Sequence, residues 1–574
     1  MIKIKKLKYK LKKRKKTVLA AGGISLAALA VLLVIIVAKN ARVMSPVDKT
    51  PEINPPEETE VIEEGYIPDF KPHAVEFTKP DKFIKSTDIS VNGNIVASYE
   101  SDADMSFKTP EYFTDLQGIT LFRGNNYRTG ASYGTADVQN KQLQQKWMAV
   151  TGGLYDTDEN YWTGSGWTGQ PIIVTWPEET RKVMSSMYDW AREKDGLTEV
   201  IYPCMDGRVH FYELSTGEMT RDDLNLGYTF KGTGAIDPRG YPILYVGAGL
   251  DGPYGSARVM IVNLVDFSVM YEFGNNDEFA PRPWHMFDAS PLVCAKTDSL
   301  IYPGENGVLY IIHLNSKFDE KTGAVSVKPD KVVKWRYDSI RNGASFWLGV
   351  ESSPVIINNY IYMADNGGNL MCLDLNTLEL VWVQDLLDDT NTTPVVDIEN
   401  GHPYLYVSTS FHYGWRSYGS ANVPVWKIDA ETGEIVWQTD FECYSEKGVS
   451  GGVQGTIAVG KNSLSDLIFV PVARTPTIGQ GQLVALDKHT GEQVWVKETA
   501  TYSWSSPVDF YDKDGNGYII YCNSGFYIYL VDGKTGETLS YMDLGGNIEA
   551  SPAVYGNYAV VGHRRQRVFC FEIT

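Results

Sequence analysis

The chain has 574 residues, a formal net charge of −19 and 43% hydrophobic residues. One small core cannot use so many residues, so the chain must hold several domains or one large repeat architecture. Beyond residue 42 there are 71 acidic residues against 40 basic ones, a difference of 31 negative charges. Because nucleic-acid binding needs a basic face, this balance excludes nucleic acid as a natural partner.

The first 38 residues have the pattern of a membrane anchor. Residues 1–16 contain ten Lys or Arg and no acid, and residues 17–38 are an uncharged, mostly apolar run. About 20 apolar residues in a helix cover the ~30 Å hydrocarbon core, whereas the apolar part of a signal peptide is usually about 7–15 residues long. We therefore predict one transmembrane helix at 17–38. The preceding basic cluster predicts a single-pass plasma-membrane protein with a cytoplasmic N-terminus and an extracytoplasmic remainder.

Two further segments precede the main body of the chain. Residues 39–80 are rich in Pro and Glu and poor in bulky apolar residues, which predicts a disordered extracytoplasmic linker, or stalk. Residues 81–117 include ISVNGNIVASYE, an Asn-Gly turn between alternating apolar residues. That pattern predicts a small β appendage.

From about residue 143 one unit recurs: Ser-Pro-Val opening a strand, a second strand, a Gly turn, a strand ending in Asp, a Thr-Gly-Glu turn and a strand ending in Trp. The unit repeats about every 40–60 residues, and such a period predicts an all-β, eight-bladed propeller over residues 118–574. The last copy has room for only three strands, and residues 143–150 resemble the missing fourth. We therefore predict that residues 143–150 close the ring against 550–574, because an open ring would expose two edges. Eight copies open at Gln170, Thr233, Ser290, Ser352, Thr392, Gly451, Ser505 and Ser551.

The repeats resemble a known family. DAETGEIVW (429–437) and DKHTGEQVW (487–495) are similar to the tryptophan-docking repeat of quinoprotein dehydrogenases and of the bacterial outer-membrane assembly factor of the BamB type. LFRGNNYRTG (121–130) resembles the element that precedes the first blade in quinoprotein-like propellers. The repeat's Asp and Thr-Gly form a tight turn, and its Trp is expected to stack between neighbouring blades. The residues concerned are Trp382, Trp437 and Trp495.

Some members of the family are enzymes, but this sequence lacks features that the enzymatic members share. The enzymatic members bind pyrroloquinoline quinone and Ca²⁺, use an Asp base and typically have a disulfide between adjacent cysteines. No two of the six cysteines are adjacent here, and no residues align with the calcium ligands. We therefore predict no catalytic residue and no cofactor, with a quinone- and calcium-dependent dehydrogenase as the alternative. The scattered cysteines lie mostly in apolar strand-like runs, which predicts buried free thiols.

The channel mouth is the predicted binding site. Asp288, Glu351 and Glu549 are predicted to form a negative funnel for a cation or a basic peptide, with solvated loop residues as the alternative. Aromatic residues crowd the same loops, which favours a peptide or glycan site, with aromatic packing as the alternative. The positions three residues before a strand-opening Pro, with the neighbouring Trp167, are Thr168, Asp288, Glu351, Asn391, Trp504 and Glu549.

A second candidate is a calcium loop. Asp512, Asp514 and Asn516, followed by Gly517, have the oxygen spacing by which a tight loop wraps Ca²⁺. The twelfth position is Asn523 rather than Glu, so a plain Asp-initiated turn is the alternative to a structural calcium ion.

Together these patterns predict a membrane-anchored extracytoplasmic binding or scaffold protein. Its expected partner is an envelope protein or a glycan, and its expected membrane contact is the N-terminal helix.

Overall fold

The computed structural model describes residues 65–166, 169–341, 347–412 and 419–574. Within these ranges most elements are β-strands, and they form eight sheets of at least four strands and two separate two-stranded hairpins. The eight larger sheets are the blades of one propeller, which confirms the predicted all-β class and the predicted number of blades. The predicted cytoplasmic tail, the transmembrane helix and the linker up to residue 64 lie outside the described residues.

The first four blades follow each other directly along the chain, and each is written here from its inner to its outer strand. The first blade is Ile172–Thr175, Thr198–Pro203, Arg208–Glu213 and Leu224–Asn225; the second is Ala235–Ile236, Ile243–Gly247, Val259–Asn263 and Val269–Phe273; the third is Leu292–Cys294, Ser299–Pro303, Val308–His313 and Lys331–Ser339; the fourth is Val355–Ile357, Tyr360–Ala364, Asn369–Asp374 and Leu380–Asp385.

The next three blades repeat this order, and the eighth takes its outer strand from the start of the propeller. The fifth blade is Val395–Glu399, His402–Ser408, Gly419–Asp429 and Ile435–Ser445; the sixth is Gly451–Val453 with Ala458–Val459, then Leu467–Ala473, Gly481–Asp487 and Gln493–Thr499; the seventh is Val508–Tyr511, Gly517–Cys522, Tyr527–Asp532 and Thr538–Asp543; the eighth is Ala553–Tyr555, Tyr558–His563, Arg567–Ile573 and Leu143–Val150.

Short elements decorate the ring. The helices in the described ranges are all one or two turns long, and none of them is long and apolar enough to cross a membrane. The additional strands are Gln117–Ile119 on the first blade, Ser132–Tyr133 on the eighth, Ser410–Phe411 on the sixth, and two hairpins, Gly153–Tyr155 with Tyr161–Thr163 and Lys317–Asp319 with Ala324–Ser326. The helices are α-helical at Glu178–Val183 and Asp189–Glu193 and 3₁₀ at Pro80–Lys82, Pro110–Tyr112 and Asn462–Leu464.

The ring closes as the sequence predicts. Strand Leu143–Val150 pairs antiparallel with Arg567–Ile573, with Trp147 opposite Cys570. The eighth blade is therefore assembled from strands at both ends of the propeller. This pairing closes the ring, so no gap is left between the first and the last blade.

The tryptophan of the repeat docks on the following blade, as predicted. In four blades its Nε1–H donates to a backbone carbonyl of the next blade, and its ring covers the glycine of the next Thr-Gly turn, where a Cβ would lie 2.6–2.7 Å from ring atoms. A glycine is needed there both for this close approach and for its positive φ. The bonds run from Trp147 to Leu214 (2.7 Å), Trp382 to Ala430 (3.2 Å), Trp437 to Lys488 (2.9 Å) and Trp495 to Gly533 (3.1 Å).

Residues 65–117 pack on the propeller rather than standing apart from it. The predicted Asn-Gly turn joins Ile84–Val91 to Asn94–Val96, and this hairpin extends the outer edge of the third blade to a six-stranded sheet. Residues 65–80, assigned from sequence to a disordered linker, lie against the fourth and fifth blades: Phe70 is buried, and the Thr78 hydroxyl donates to the Thr432 carbonyl at 2.8 Å. The linker prediction is wrong for these residues, because their few apolar side chains pack against the apolar core of these two blades.

Candidate functional site

Hydroxyl groups at the start of the inner strands join neighbouring blades around the axis. At most blade junctions a backbone N–H of one blade donates to a Ser or Thr hydroxyl of the next, and the Ser551 N–H closes the ring on the Gly169 carbonyl at 2.9 Å. This ring of polar bonds defines a narrow axial channel. The bonds run from Gln170 to Thr233 (2.7 Å), Ser290 to Ser353 (2.9 Å), Ser353 to Thr393 (2.9 Å), Thr393 to Thr456 (3.3 Å), Thr456 to Ser506 (2.9 Å) and Ser506 to Ser551 (3.1 Å).

The segment 120–131, which contains the FRG element, fills one end of this channel and will be called the hub. It makes at least one hydrogen bond to every blade, so a single short segment ties the whole ring together. In blade order, the partner residues are Gln170, Ile236, Ser290, Pro354, Val396, Lys461, Pro507 and Val554.

Two buried arginines of the hub, Arg123 and Arg128, donate five side-chain hydrogen bonds. Arg128 donates to the carbonyls of Pro354, Phe122 and Ser290 at 2.8–2.9 Å, and Arg123 donates to those of Arg128 and Pro507 at 2.8 and 3.1 Å. Burial lowers the pKa of Arg123 to about 10 and that of Arg128 to about 9, so both remain charged at neutral pH. Backbone carbonyls thus stabilise both charges, and the Asp509 carboxylate also favours the charge of Arg123.

The structure brings three of the predicted mouth residues together. Asp288, Glu351 and Asn391 line one axial cavity whose wall also includes Phe122 of the hub. The cavity has a volume of about 20 Å³, which is room for about one water molecule.

Two of the other predicted mouth residues, Glu549 and Trp504, do not line this cavity. The Glu549 carboxylate accepts from Arg564 Nη1 at 2.9 Å and from Asn547 Nδ2 at 2.8 Å. The Trp504 ring packs on Tyr502, with 5.3 Å between ring centroids. Trp167 and Thr168 lie outside the described residues.

The cavity is electrostatically crowded. Lys231 Nζ lies 3.4 Å from Asp288 Oδ2. Burial, together with the charge of Glu351, raises the pKa of Asp288 to about 6 even though Lys231 opposes the shift. Burial and the charges of Glu351 and Asp288 hold the pKa of Glu305 well above its ordinary value. Repulsion among these buried carboxyls therefore disfavours ionising all of them together.

Sequence reasoning missed Glu305, Asp389 and Arg282, which complete the cluster. Arg282 is buried and donates to the Glu305 carbonyl at 3.2 Å and to Asn366 Oδ1 at 2.7 Å. Asn366 in turn donates to Asp389 Oδ1 at 2.8 Å, so one chain of bonds spans the third to fifth blades. The Gly-turn motifs ENG and DNGG were the available signal, since they place Glu305 and Asn366 at equivalent turns of adjacent blades.

The predicted calcium loop is already bonded as a turn. Asp512 Oδ1 accepts the N–H groups of Asp514 and Asn516, and Oδ2 accepts Asn516 Nδ2, all at 2.9 Å. These bonds lower the pKa of Asp512 against the effect of its partial burial. No group of three His, Cys, Asp or Glu side chains suited to a metal occurs in the described part of the chain. The loop geometry is that of an Asp-initiated turn.

A quinone cofactor does not fit the axial cavity that the described residues form. Cofactor sites usually enclose about 300–1,000 Å³, far more than the roughly 20 Å³ left beside Asp288 and Glu351. Because the cavity is this small, no chemical step is assigned to a quinone.

All six cysteines are free and buried, as predicted.

Comparison with known proteins agrees with this architecture. A family model described as outer membrane protein assembly factor BamB matches residues 421–508. The predicted resemblance to quinoprotein-like propellers is confirmed. An assembly factor of that name from Kangiella koreensis is 21% identical over 42% of this chain and 54% of its own length. A quinoprotein ethanol dehydrogenase from Pseudomonas aeruginosa is 23% identical over 30% of this chain and 26% of its own length.

Solved quinoprotein-like propellers share the fold. A quinohemoprotein alcohol dehydrogenase from Pseudomonas putida matches with a TM-score of 0.53 at 11% identity, covering 80% of each chain. This chain spans about a quarter to a half of the length of the curated relatives named above. Both non-enzymatic assembly factors and dehydrogenases therefore occur among its relatives.

Proposed function

We propose that this protein is a membrane-anchored scaffold of the cell envelope whose extracytoplasmic propeller binds a partner protein or glycan. The observation that carries the proposal is the hub, whose hydrogen bonds reach all eight blades along the axis. An axis used to hold the ring together leaves loops and blade edges as the surfaces that can receive a partner. The likeness to an outer membrane protein assembly factor supports a role in assembling envelope proteins.

The N-terminal pattern of the chain supports the proposed location. The basic residues 1–16 favour retention of the N-terminus in the cytoplasm, so the residues after the apolar run are expected on the other side of the membrane. The six native cysteines are buried, so an added surface cysteine provides a clean topological label. Lys534→Cys, at an exposed turn of the seventh blade, should react with a membrane-impermeant maleimide on spheroplasts. Lys10→Cys should react only after the membrane is permeabilised, and the reverse pattern would contradict the proposed orientation.

Capture of a partner tests the scaffold role itself. Full-length protein with a C-terminal affinity tag is cross-linked in intact cells, solubilised and purified, and the bound species are identified. The proposal expects one envelope protein or wall glycan in near-stoichiometric amount, absent from cells that express an unrelated tagged membrane protein. Recovery of the protein alone, at native expression and with efficient cross-linking, would contradict a scaffold role.

A quinoprotein oxidoreductase is the alternative, and the dehydrogenases among the relatives favour it. It requires an axial cavity that opens to admit the quinone. Binding of added quinone and Ca²⁺ by the purified protein separates the two functions.

A further inference from the structure

The outer edge of the second blade borders a groove. The hairpin Ile84–Val96 extends the third blade by two strands and projects beyond the second, so the outer strand Val269–Phe273 lies beside a wall. The groove between them has a volume of about 850 Å³ and is lined on one side by Tyr271 and Phe273 and on the other by Ser90 and Ile95.

The second blade ends there in an unpaired edge. Val269–Phe273 pairs only with Val259–Asn263 among the described strands, so its other side presents free backbone N–H and C=O groups. Such an edge is a ready template for another strand. Val269 and Ile95 are 42% and 62% exposed, so apolar surface flanks this edge.

The third blade shows that an outer edge of this propeller accepts a further strand. Strand Ile84–Val91 pairs with Lys331–Ser339 in antiparallel register, with Ile89 opposite Trp335. A fifth strand on the second blade would lie alongside this added hairpin and continue an interface that already exists within the chain.

The charges of the groove indicate the sign of its partner. Its two cations are engaged internally: Lys334 donates to Asp277 at 2.6 Å, and Arg336 donates to Asp88 at 2.9 Å. Glu278, in contrast, is exposed at the rim and forms no ion pair with another described residue. Glu272, on the opposite face of the edge strand from Tyr271, is 41% exposed and pairs with Arg258 at 3.2 Å. The unbalanced charge at the rim is therefore that of Glu278, and it is negative.

We propose that this groove binds an extended segment of a partner protein that adds as a fifth strand to the second blade. Alternate side chains of that segment are apolar and enter the groove between Tyr271 and Ile95, and a basic side chain of the segment lies near Glu278 at the rim. The proposal rests on the scaffold function and gives the location and chemistry of one binding surface.

A designed peptide tests the site directly. A fluorescein-labelled peptide of four Lys-Val repeats is titrated into the full-length protein in detergent micelles at low salt, and fluorescence anisotropy is measured. We expect saturable binding that weakens as salt is added. Two matched peptides, one with Glu in place of Lys and one with a central Pro, should bind at least about tenfold more weakly, because they lose charge complementarity and a ladder hydrogen bond respectively.

Variants and hydrogen exchange locate the bound peptide. Glu278→Lys should weaken binding about three- to tenfold. Tyr271→Ala should also weaken it, whereas Tyr541→Ala, on the exposed outer strand of the seventh blade, should not. Amide exchange should slow at residues 269–273 and stay unchanged at 538–543.

Three outcomes would overturn the proposal: no saturable peptide binding, protection at another edge, or groove protection by a chitin oligosaccharide in place of the peptide. Capture of an envelope partner is measured separately, so the scaffold function can stand even if this site fails.

Discussion

The indole Nε1–H of Trp437 donates to the carbonyl oxygen of Lys488 in the next blade at 2.9 Å, and the same ring covers Gly491. Equivalent contacts recur at Trp147, Trp382 and Trp495, so the joint between blades is a hydrogen bond combined with a close ring-to-glycine contact. The Trp and the turn Gly of the repeat therefore join neighbouring blades.

This joint predicts a steric cost for any side chain at the turn glycine. Gly433→Ala would place a Cβ 2.7 Å from the Trp382 ring, and we expect a loss of about 2–4 kcal/mol in the free energy of unfolding. Gly448→Ala is the matched control, because Gly448 has the same φ of +74° with no atom within 4 Å. Chemical denaturation compares the two variants. Equal losses would show that backbone strain, and not the tryptophan contact, sets the cost.

The hub predicts that one side chain supports several blades. Arg128→Met leaves three buried carbonyls without their donor, and at about 1–3 kcal/mol for each the free energy of unfolding should fall by about 3 kcal/mol or more. Arg565→Met is the control, because Arg565 is exposed and makes one such bond, to Gly545; it should change stability by less than about 1 kcal/mol. Similar small losses in both variants would contradict the role of the hub.

Ring closure predicts that the last blade is needed by the whole propeller. Truncation after Leu544 removes three strands of the eighth blade and leaves Leu143–Val150 unpaired. Both neighbouring blades then lose their docking surface, so the melting temperature should fall and unfolding should become less cooperative. Circular dichroism during thermal unfolding measures both. A truncated protein that keeps the full-length melting temperature would show that the other blades are stable without closure.

The axial carboxyl cluster predicts that neutralising one of its carboxyls stabilises the protein, and more so at high pH than at low pH. A carboxyl whose pKa rises on folding stabilises the folded state less as pH climbs through the shifted range, which for Asp288 runs from its ordinary value of 3.8 to about 6. Glu305→Gln removes one of the competing charges, so it should raise the free energy of unfolding by about 1–3 kcal/mol at pH 8. The gain should shrink at pH 4.5, where the cluster is more protonated.

Glu549→Gln serves as the opposite control. Arg564 lies 2.9 Å from the Glu549 carboxylate, so losing that charge should lower stability at pH 8 by about 1–3 kcal/mol. Thermal unfolding of both variants across this pH range measures the difference. A loss of equal size in the two variants would show that Glu305 is a favourable partner rather than a crowded charge.

The repeat pattern was sufficient to predict the propeller because it combines strand periodicity with local turn chemistry. The Thr-Gly-Glu turns and Trp residues lie within a few residues of each other, so their geometry follows from sequence. Closure by residues 143–150 was predictable for a related reason, since the last repeat lacked one strand.

The site was less predictable because its contacts join distant parts of the chain. Asp288 and Glu351 were placed on one axis by their shared position in the repeat. Lys231 has the same position in the second blade, where Gly234 replaces the strand-opening Pro, and it neutralises part of the charge together with Arg282. Glu549 occupies an equivalent position and yet pairs with Arg564. Position in a repeat predicts where a backbone lies; the partner of a side chain depends on irregular residues of the neighbouring blade.

Titration of the full-length protein with pyrroloquinoline quinone and Ca²⁺ tests the central claim most directly. Isothermal calorimetry measures binding, and a dye-linked assay with alcohols and sugars measures oxidation in the same samples. If the axis serves to hold the ring together, no stoichiometric binding and no oxidation are expected. One equivalent of bound quinone together with quinone-dependent dye reduction would contradict the scaffold account and establish the dehydrogenase.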